Sequence, residues 1–213
     1  MDTYKETFET WNKIASIYQD KFMNMDLYNE TYDVICNAIT QPKAKILEIG
    51  CGPGNIINYL LSKRPDFEIL GTDIAPNMIE LAKKNNPKAS FAIMDCRQID
   101  QLKTTYNGII GGFCLPYLSD LDIVKLVADC SNLLSENGLI YLSFVEGNPD
   151  KSDYQVSSSG DRVYFHFYQL DTIKKLLTDN NFVAIKVFYV EYKKSETGKD
   201  IHTILIAKKA STN

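Results

Sequence analysis

The chain has 213 residues, 45% of them hydrophobic, which is enough for a sizeable core and argues against intrinsic disorder. A formal net charge of −4, with basic pairs scattered as Lys83-Lys84, Lys174-Lys175, Lys193-Lys194 and Lys208-Lys209, argues against a nucleic-acid partner, which needs clustered cations. The polar opening Met1-Asp2-Thr3-Tyr4-Lys5-Glu6 carries no secretory core, no run of ~18 apolar residues spans a membrane, and five cysteines (Cys36, Cys51, Cys96, Cys114, Cys130) without C-x-x-C spacing point to a reduced cytoplasm and away from structural zinc.

Residues 1–42 read as a helical cap. Trp11, Ile14, Ala15, Tyr18 and Phe22 recur on one helical face, and Tyr28, Tyr32, Ile35 and Ile39 repeat the pattern behind Asp26, an expected N-cap. Gln41-Pro42 ends that helix. Strands and helices then alternate. Strand Lys45–Ile49 precedes a helix from Asn55 to Ser62, and strand Phe67–Thr72 precedes a helix from Pro76 to Lys84. Strand Ser90–Met94 and strand Gly108–Phe113 follow, then a helix from Asp120 to Leu134. An Asn137-Gly138 turn leads into strand Leu139–Val145. This alternation predicts a parallel sheet covered on both faces.

Residues 146–168 break the rhythm. Ser157-Ser158-Ser159-Gly160-Asp161 reads as the turn of a hairpin, whose second arm places Val163, Phe165 and Phe167 on one face and Arg162, Tyr164, His166 and Tyr168 on the other. The insertion leaves from the carboxyl edge of the fifth strand, so a lid is expected. A helix from Asp171 to Asp179 and two strands, Phe182–Val190 and Ile201–Ala207, joined by a polar loop, complete the chain.

The most informative segment is Lys45-Ile46-Leu47-Glu48-Ile49-Gly50-Cys51-Gly52-Pro53-Gly54-Asn55, a strand ending in a carboxylate and three alternate glycines before a helix. Such a loop cradles a nucleoside-bearing cofactor at the strand's carboxyl end, or else marks only a tight turn. A dinucleotide fingerprint requires Gly or Ala where Asn55 stands. Glu48 would repel phosphates but suits a cationic ligand, and S-adenosylmethionine carries a sulfonium and an ammonium. Asp73 ends the second strand ~20 residues on, placed to accept from ribose hydroxyls or to cap the next helix. Asp95, after the third strand, is either an adenine-facing acceptor or a surface acid.

These motifs resemble those of class I S-adenosylmethionine-dependent methyltransferases acting on small molecules. Asp73-Ile74-Ala75-Pro76-Asn77-Met78-Ile79, Trp11-Asn12-Lys13-Ile14-Ala15-Ser16-Ile17-Tyr18 and Leu134-Ser135-Glu136-Asn137-Gly138-Leu139 extend the resemblance over nearly the whole chain. It implies a Rossmann-like, doubly wound α/β domain over residues 1–213, with a seven-stranded sheet and an antiparallel last strand. It also implies roles. Glu48 and the loop of Gly50, Cys51, Gly52, Gly54 and Asn55 border the methionine part of the cofactor. Asp73 holds the ribose, Ile74 and Met78 pack on adenine, and Asp95 and the Cys96 amide meet its edge. Backbone near Gly112 and Phe113 receives the ammonium, with Tyr18 closing the cofactor site or packing in the core.

Because the sulfonium is already an activated donor, alignment of the acceptor and exclusion of water suffice, and no catalytic residue is named. Trp11, Tyr117, Tyr164 and His166 are the expected acceptor contacts; a solvent-facing hairpin side is the alternative for Tyr164 and His166. His202 reads as structural. Phe113-Cys114-Leu115-Pro116-Tyr117 lacks the acids that hold a metal in catechol-type members, and shares only Pro-Tyr with amino-nitrogen DNA methylases, so neither metal nor DNA is expected. A monomer or homodimer that methylates an O, N or C nucleophile of a small molecule is the leading reading. A non-catalytic S-adenosylmethionine-binding or protein-interaction module and a nicotinamide oxidoreductase are its rivals.

Overall fold

A computed structural model describes residues 3–157, 160–193 and 198–211. Three N-terminal helices, α1 (Thr3–Lys13), α2 (Ala15–Phe22) and α3 (Asn29–Ala38), precede the alternating part. That part runs β1 (Lys45–Ile49), α4 (Asn55–Lys63), β2 (Glu68–Asp73), α5 (Pro76–Asn85), β3 (Ser90–Ile93), β4 (Tyr106–Gly111), α6 (Asp120–Leu133) and β5 (Leu134–Val145). A hairpin of β6 (Asp153–Val156) and β7 (Arg162–Phe165) follows, then α7 (Leu170–Asp179), β8 (Phe182–Lys193) and β9 (Lys199–Lys209).

The sheet has seven strands in the order β3-β2-β1-β4-β5-β9-β8. The first five in this order are mutually parallel, and β9 runs antiparallel to both its neighbours. Winding therefore reverses between β1 and β4, which opens a crevice at their carboxyl ends. Side chains of β1 alternate between two cores. Leu47 and Ile49 join Leu126, Cys130 and Ile173 on one face; Ile46 joins Tyr32, Ile35, Ile57 and Leu60 on the other. Burial on both faces explains the near-continuous apolar run of β1.

The structure changes four local expectations. The Trp11-to-Phe22 stripe is two helices, bent at Ile14 (φ −95°, ψ 14°). Both halves are tied to α5, the first through Asn12 and Asn77 (2.8 and 2.9 Å), and only the first is tied to the hairpin. Thr10 Oγ1 donates to the Arg162 carbonyl (2.8 Å) and Lys13 pairs with Asp161 (2.7 Å), whereas Gln19 accepts from Asn85 on α5 (2.8 Å). Asp26 does not cap α3 through its side chain; its carbonyl takes the Asn29 amide (3.0 Å) and the helix starts at Asn29. Strand β4 stops at Gly111, because Phe113 turns out of it at φ 57°. Strand β5 begins at Leu134 and contains the Asn137-Gly138 turn as an irregularity, with Asn137 at φ 61°. Residues 158–159 of the expected serine turn and 194–197 of the expected polar loop lie outside the described residues. No helix among the described residues is long and apolar enough to cross a membrane.

Candidate functional site

The glycine loop is fixed by its own backbone and by one carboxylate. The Cys51 amide continues the sheet by donating to the Thr72 carbonyl (2.9 Å). Asp73 Oδ2 accepts from the Gly52 amide (2.9 Å) and Oδ1 from the Ala75 amide (2.8 Å), so one side chain ties the loop to the start of α5. Gly54 lies at φ 81°, where a Cβ would come within 2.4 Å of Asn86 Nδ2. Asn86 Nδ2 in turn donates to the Gly54 carbonyl (2.9 Å). Across the crevice, the Phe113 amide donates to the buried Ser143 hydroxyl (2.8 Å), and Ile56 packs so closely that a Cβ on Gly112 would lie 2.4 Å from its Cδ1.

Glu48 is the exceptional group. It is 1% exposed, and its Oε2 is buried with no hydrogen-bond partner. Burial, and then the nearby Asp73 carboxylate, push its pKa well above the ordinary carboxylate range. A lone anion here is costly, and a bound cation would remove that cost. Burial likewise raises Asp73, against the lowering effect of its backbone hydrogen bonds.

Two cavities meet over this floor. The first lies between Asp73, Ile74, Met78, Asp95 and Cys96 on the sheet side and Tyr4, Phe8 and Trp11 of α1. The second lies over Glu48, Cys51 and Asn55, roofed by Tyr28, Phe165, Phe167, Tyr192 and His202. Trp11, Tyr18, Gly50, Gly52, Gly112, Phe113 and Tyr117 line both, so the cavities share one neck. Trp11 forms its hinge, edge-on to Tyr18 (ring centroids 5.5 Å apart) and to Tyr117 (5.4 Å). The Trp11 indole Nε1 is buried without a partner.

Most sequence-predicted residues therefore come together, with three qualifications of geometry. Gly54 shapes the loop without lining either cavity. Asp95 lines the first cavity with both oxygens already held by Arg97, whose Nε lies 2.9 Å from Oδ2. The hairpin presents the other face from the one expected: Phe165 and Phe167 enter the second cavity, whereas Tyr164 and His166 line neither. Tyr164 packs on Tyr154 and bonds the Ser152 carbonyl (3.2 Å); His166 lies against Tyr164 and Tyr168. The physical reason is strand alternation, with the apolar side of β7 turned into the aromatic cluster through Phe165 on Tyr117 (5.9 Å).

Sequence reasoning missed His202, Tyr28 and Tyr192. His202 is buried, its Nδ1 lies 2.7 Å from the Tyr28 hydroxyl, and Tyr192 stacks on it (centroids 4.9 Å, planes 13° apart). The available signal was the antiparallel direction of β9, which brings the start of that strand, His202 opposite Val145, to the carboxyl edge of the parallel strands. The thiols offer no nucleophile. Burial holds Cys51 and Cys96 well above the ordinary thiol range and pushes Cys114 up to about 12. No cluster of three or more His, Cys, Asp or Glu suited to a metal ion occurs among the described residues.

Comparison with known proteins bears on the fold that carries this site. Residues 46–138 match the methyltransferase domain family. Among curated relatives, a carboxy-S-adenosyl-L-methionine synthase of Campylobacter hominis is 27% identical over 65% of this chain and 62% of its own length. A malonyl-[acyl-carrier protein] O-methyltransferase of Acetivibrio thermocellus is 30% identical over 57% of this chain and 45% of its own length. The chain thus spans less than two thirds of the length of these two relatives. In three dimensions it resembles magnesium protoporphyrin IX methyltransferase of Synechocystis, solved with bound SAH, with a TM-score of 0.74 at 15% identity over 98% of this chain and 100% of that one. It also resembles the 1,6-didemethyltoxoflavin-N1-methyltransferase of Burkholderia thailandensis, with a TM-score of 0.72 at 16% identity over 97% of this chain and 88% of that one.

Proposed function

We propose, from the premise that the chain carries the class I S-adenosylmethionine-dependent methyltransferase fold, that it binds S-adenosylmethionine across the two joined cavities and methylates a small molecule in the second. The observation that carries this reading is the unpartnered, buried Glu48 carboxylate oxygen at the floor of the second cavity. A dinucleotide would bring phosphates toward that carboxylate; a ligand with an ammonium and a sulfonium would bring it compensating charge.

The residues present fit such a cofactor. The first cavity suits adenosine, with Ile74, Met78 and Met94 as apolar walls and Asp73 as the acceptor for ribose hydroxyls. Asp73 keeps acceptor capacity beyond its two amide bonds, since an ionised carboxylate offers about four lone-pair sites. Cys96 begins a short 3-10 turn after Asp95, where an amide lacks an intrahelical acceptor and can meet a ring nitrogen. Glu48, the Gly50–Gly52 backbone and the Gly112–Phe113 segment would hold the amino-acid end. When bound, the cofactor supplies a methyl group on a leaving group that departs as a neutral thioether. The protein's part is to align the acceptor at the neck and keep water away, which the rings of Trp11, Tyr18, Tyr117 and Phe165 suit.

One structural relative is a 1,6-didemethyltoxoflavin-N1-methyltransferase, and the aromatic roof of the second cavity supports a flat, small acceptor here. The five unpaired cysteines suit a reducing, cytoplasmic setting. Isothermal titration with S-adenosylmethionine, S-adenosylhomocysteine and NADH tests the reading. Binding of the first two and not the third is expected; the reverse pattern, or no binding at all, would overturn it. Binding without methyl transfer to any metabolite fraction would favour the non-catalytic module.

A further inference from the structure

The methyl-transfer reading leaves one buried polar pair in the second cavity without a task. Tyr28, at the turn into α3, and His202, on β9, are 8% exposed each, and the Tyr28 hydroxyl lies 2.7 Å from His202 Nδ1. Both line the second cavity, opposite the glycine loop. The imidazole is clamped on two sides, by the stacked Tyr192 ring and by Phe113 edge-on (centroids 4.7 Å), so its orientation is set by packing from β8 and from the segment after β4. Phe113 also lines the neck. The pair thus stands one ring away from the place where the two cavities join.

We propose that Tyr28 and His202 form a proton relay for the acceptor, and that the acceptor is a planar aromatic molecule with an acidic hydroxyl. Amines attack as neutral nucleophiles and shed their proton afterwards, whereas a hydroxyl must lose its proton as it attacks, so a relay at the acceptor end favours oxygen. The acceptor O–H passes its proton to the Tyr28 oxygen while the Tyr28 proton moves to His202 Nδ1. The electron pair left on the acceptor oxygen forms the new O–CH3 bond, and the pair of the broken C–S bond leaves with sulfur. The imidazolium then returns its proton to water. Tyr28 is the catalytic residue in this scheme and His202 its positioning base. Burial holds the Tyr28 hydroxyl above the ordinary phenol range, so on its own it would stay protonated and needs the imidazole behind it. Among the described residues, the ionisable groups beside the imidazole are Tyr28 from the α3 turn and Tyr192 from β8; Asp200, two residues earlier on the same strand, lines the same cavity. Tyr28, Phe113, Tyr117 and Phe165 supply ring faces and edges for a flat guest.

This inference rests on the methyl-transfer reading, and the test separates the two. The protein is loaded with S-adenosylhomocysteine, and 4-nitrophenol is added one pH unit below its own solution pKa, where the free probe is about ten to one protonated. The wild-type complex is expected to bind the probe as phenolate, seen as growth of the phenolate absorption band. His202→Gln and Tyr28→Phe are expected to keep their affinity for S-adenosylhomocysteine and lose that band. Tyr28→Phe keeps the ring packing, so the test survives if the His202 variant fails to fold. Probe bound in its protonated form, no probe binding, or variants that retain the band would overturn the relay. Failure of the wild type to bind S-adenosylhomocysteine would instead overturn the methyl-transfer reading itself.

Discussion

The two cavities are built in different ways. The floor of the first comes from successive strand ends, β1, β2 and β3, within one stretch of chain, and its geometry is set by backbone amides and one carboxylate: the Cys51 amide on Thr72, and the Gly52 and Ala75 amides on Asp73. The roof of the second is assembled from side chains that are remote in sequence, Trp11, Tyr28, Phe165, Tyr192 and His202. Helix α1 and the hairpin are cross-tied, since the Tyr164 amide donates to Thr7 Oγ1 (3.0 Å) and Arg162 pairs with Glu6. A backbone-made floor suits a ligand that stays the same; a roof made of side chains can be re-lined for a different acceptor while the floor is kept.

Substitutions at the floor should be the more damaging. Gly54→Val combines a strained positive φ, about 1–3 kcal/mol, with a clash on Asn86, and thermal or urea unfolding should show a loss of at least about 2 kcal/mol. Asp73→Ala leaves the Gly52 and Ala75 amides without their acceptor; a folded variant should bind S-adenosylhomocysteine ~10–100-fold more weakly by calorimetry. Unchanged binding would mean that the loop holds its shape without the carboxylate.

Roof substitutions should be milder and selective. Trp11→Phe keeps an aromatic ring but removes a donor that has no partner in the protein. Melting should therefore show no more than a packing loss of about 1 kcal/mol, while ligand affinity falls if Nε1 meets the ligand. A fall in stability with affinity unchanged would assign Trp11 to packing alone. His166→Gln, on the face of the hairpin away from both cavities, should change ligand affinity by less than about 0.5 kcal/mol. A larger effect would return the polar side of β7 to the acceptor site.

The same division governs what was legible in the sequence. Strand-to-helix periodicity, the alternate glycines and the spacing from Glu48 to Asp73 are local, and they indicate the parallel part of the sheet and the floor; the antiparallel last strand follows only from the family resemblance. Phe165 and Phe167 were recognised as one face of a strand, but two-residue alternation does not say which face meets the rest of the molecule. That choice is made by Tyr117 and by the polar ties from α1. From sequence His202 reads only as a structural residue of the last strand; the antiparallel direction of that strand carries it to the crevice. The break at Ile14 was also invisible, because the helical hydrogen bonds continue across it, Ile14 amide to Thr10 (3.0 Å) and Tyr18 amide to Ile14 (2.9 Å).

Glu48 waits for a cation, and its buried carboxyl links stability to pH. A carboxyl whose native pKa is raised binds more protons folded than unfolded over the window from its unfolded value of 4.5 up to the raised one. Stability of the ligand-free protein therefore falls as pH rises through that window, and the penalty is fully present above it. Glu48→Gln removes the charge and keeps an oxygen for the Ile57 amide. The decisive measurement pairs a series of melts from pH 4.5 to neutral with an S-adenosylmethionine titration at neutral pH, for wild type and Glu48→Gln. The account predicts that the variant melts higher, loses the pH slope and binds S-adenosylmethionine at least ~10-fold more weakly. A variant that melts no higher and binds equally well would contradict it.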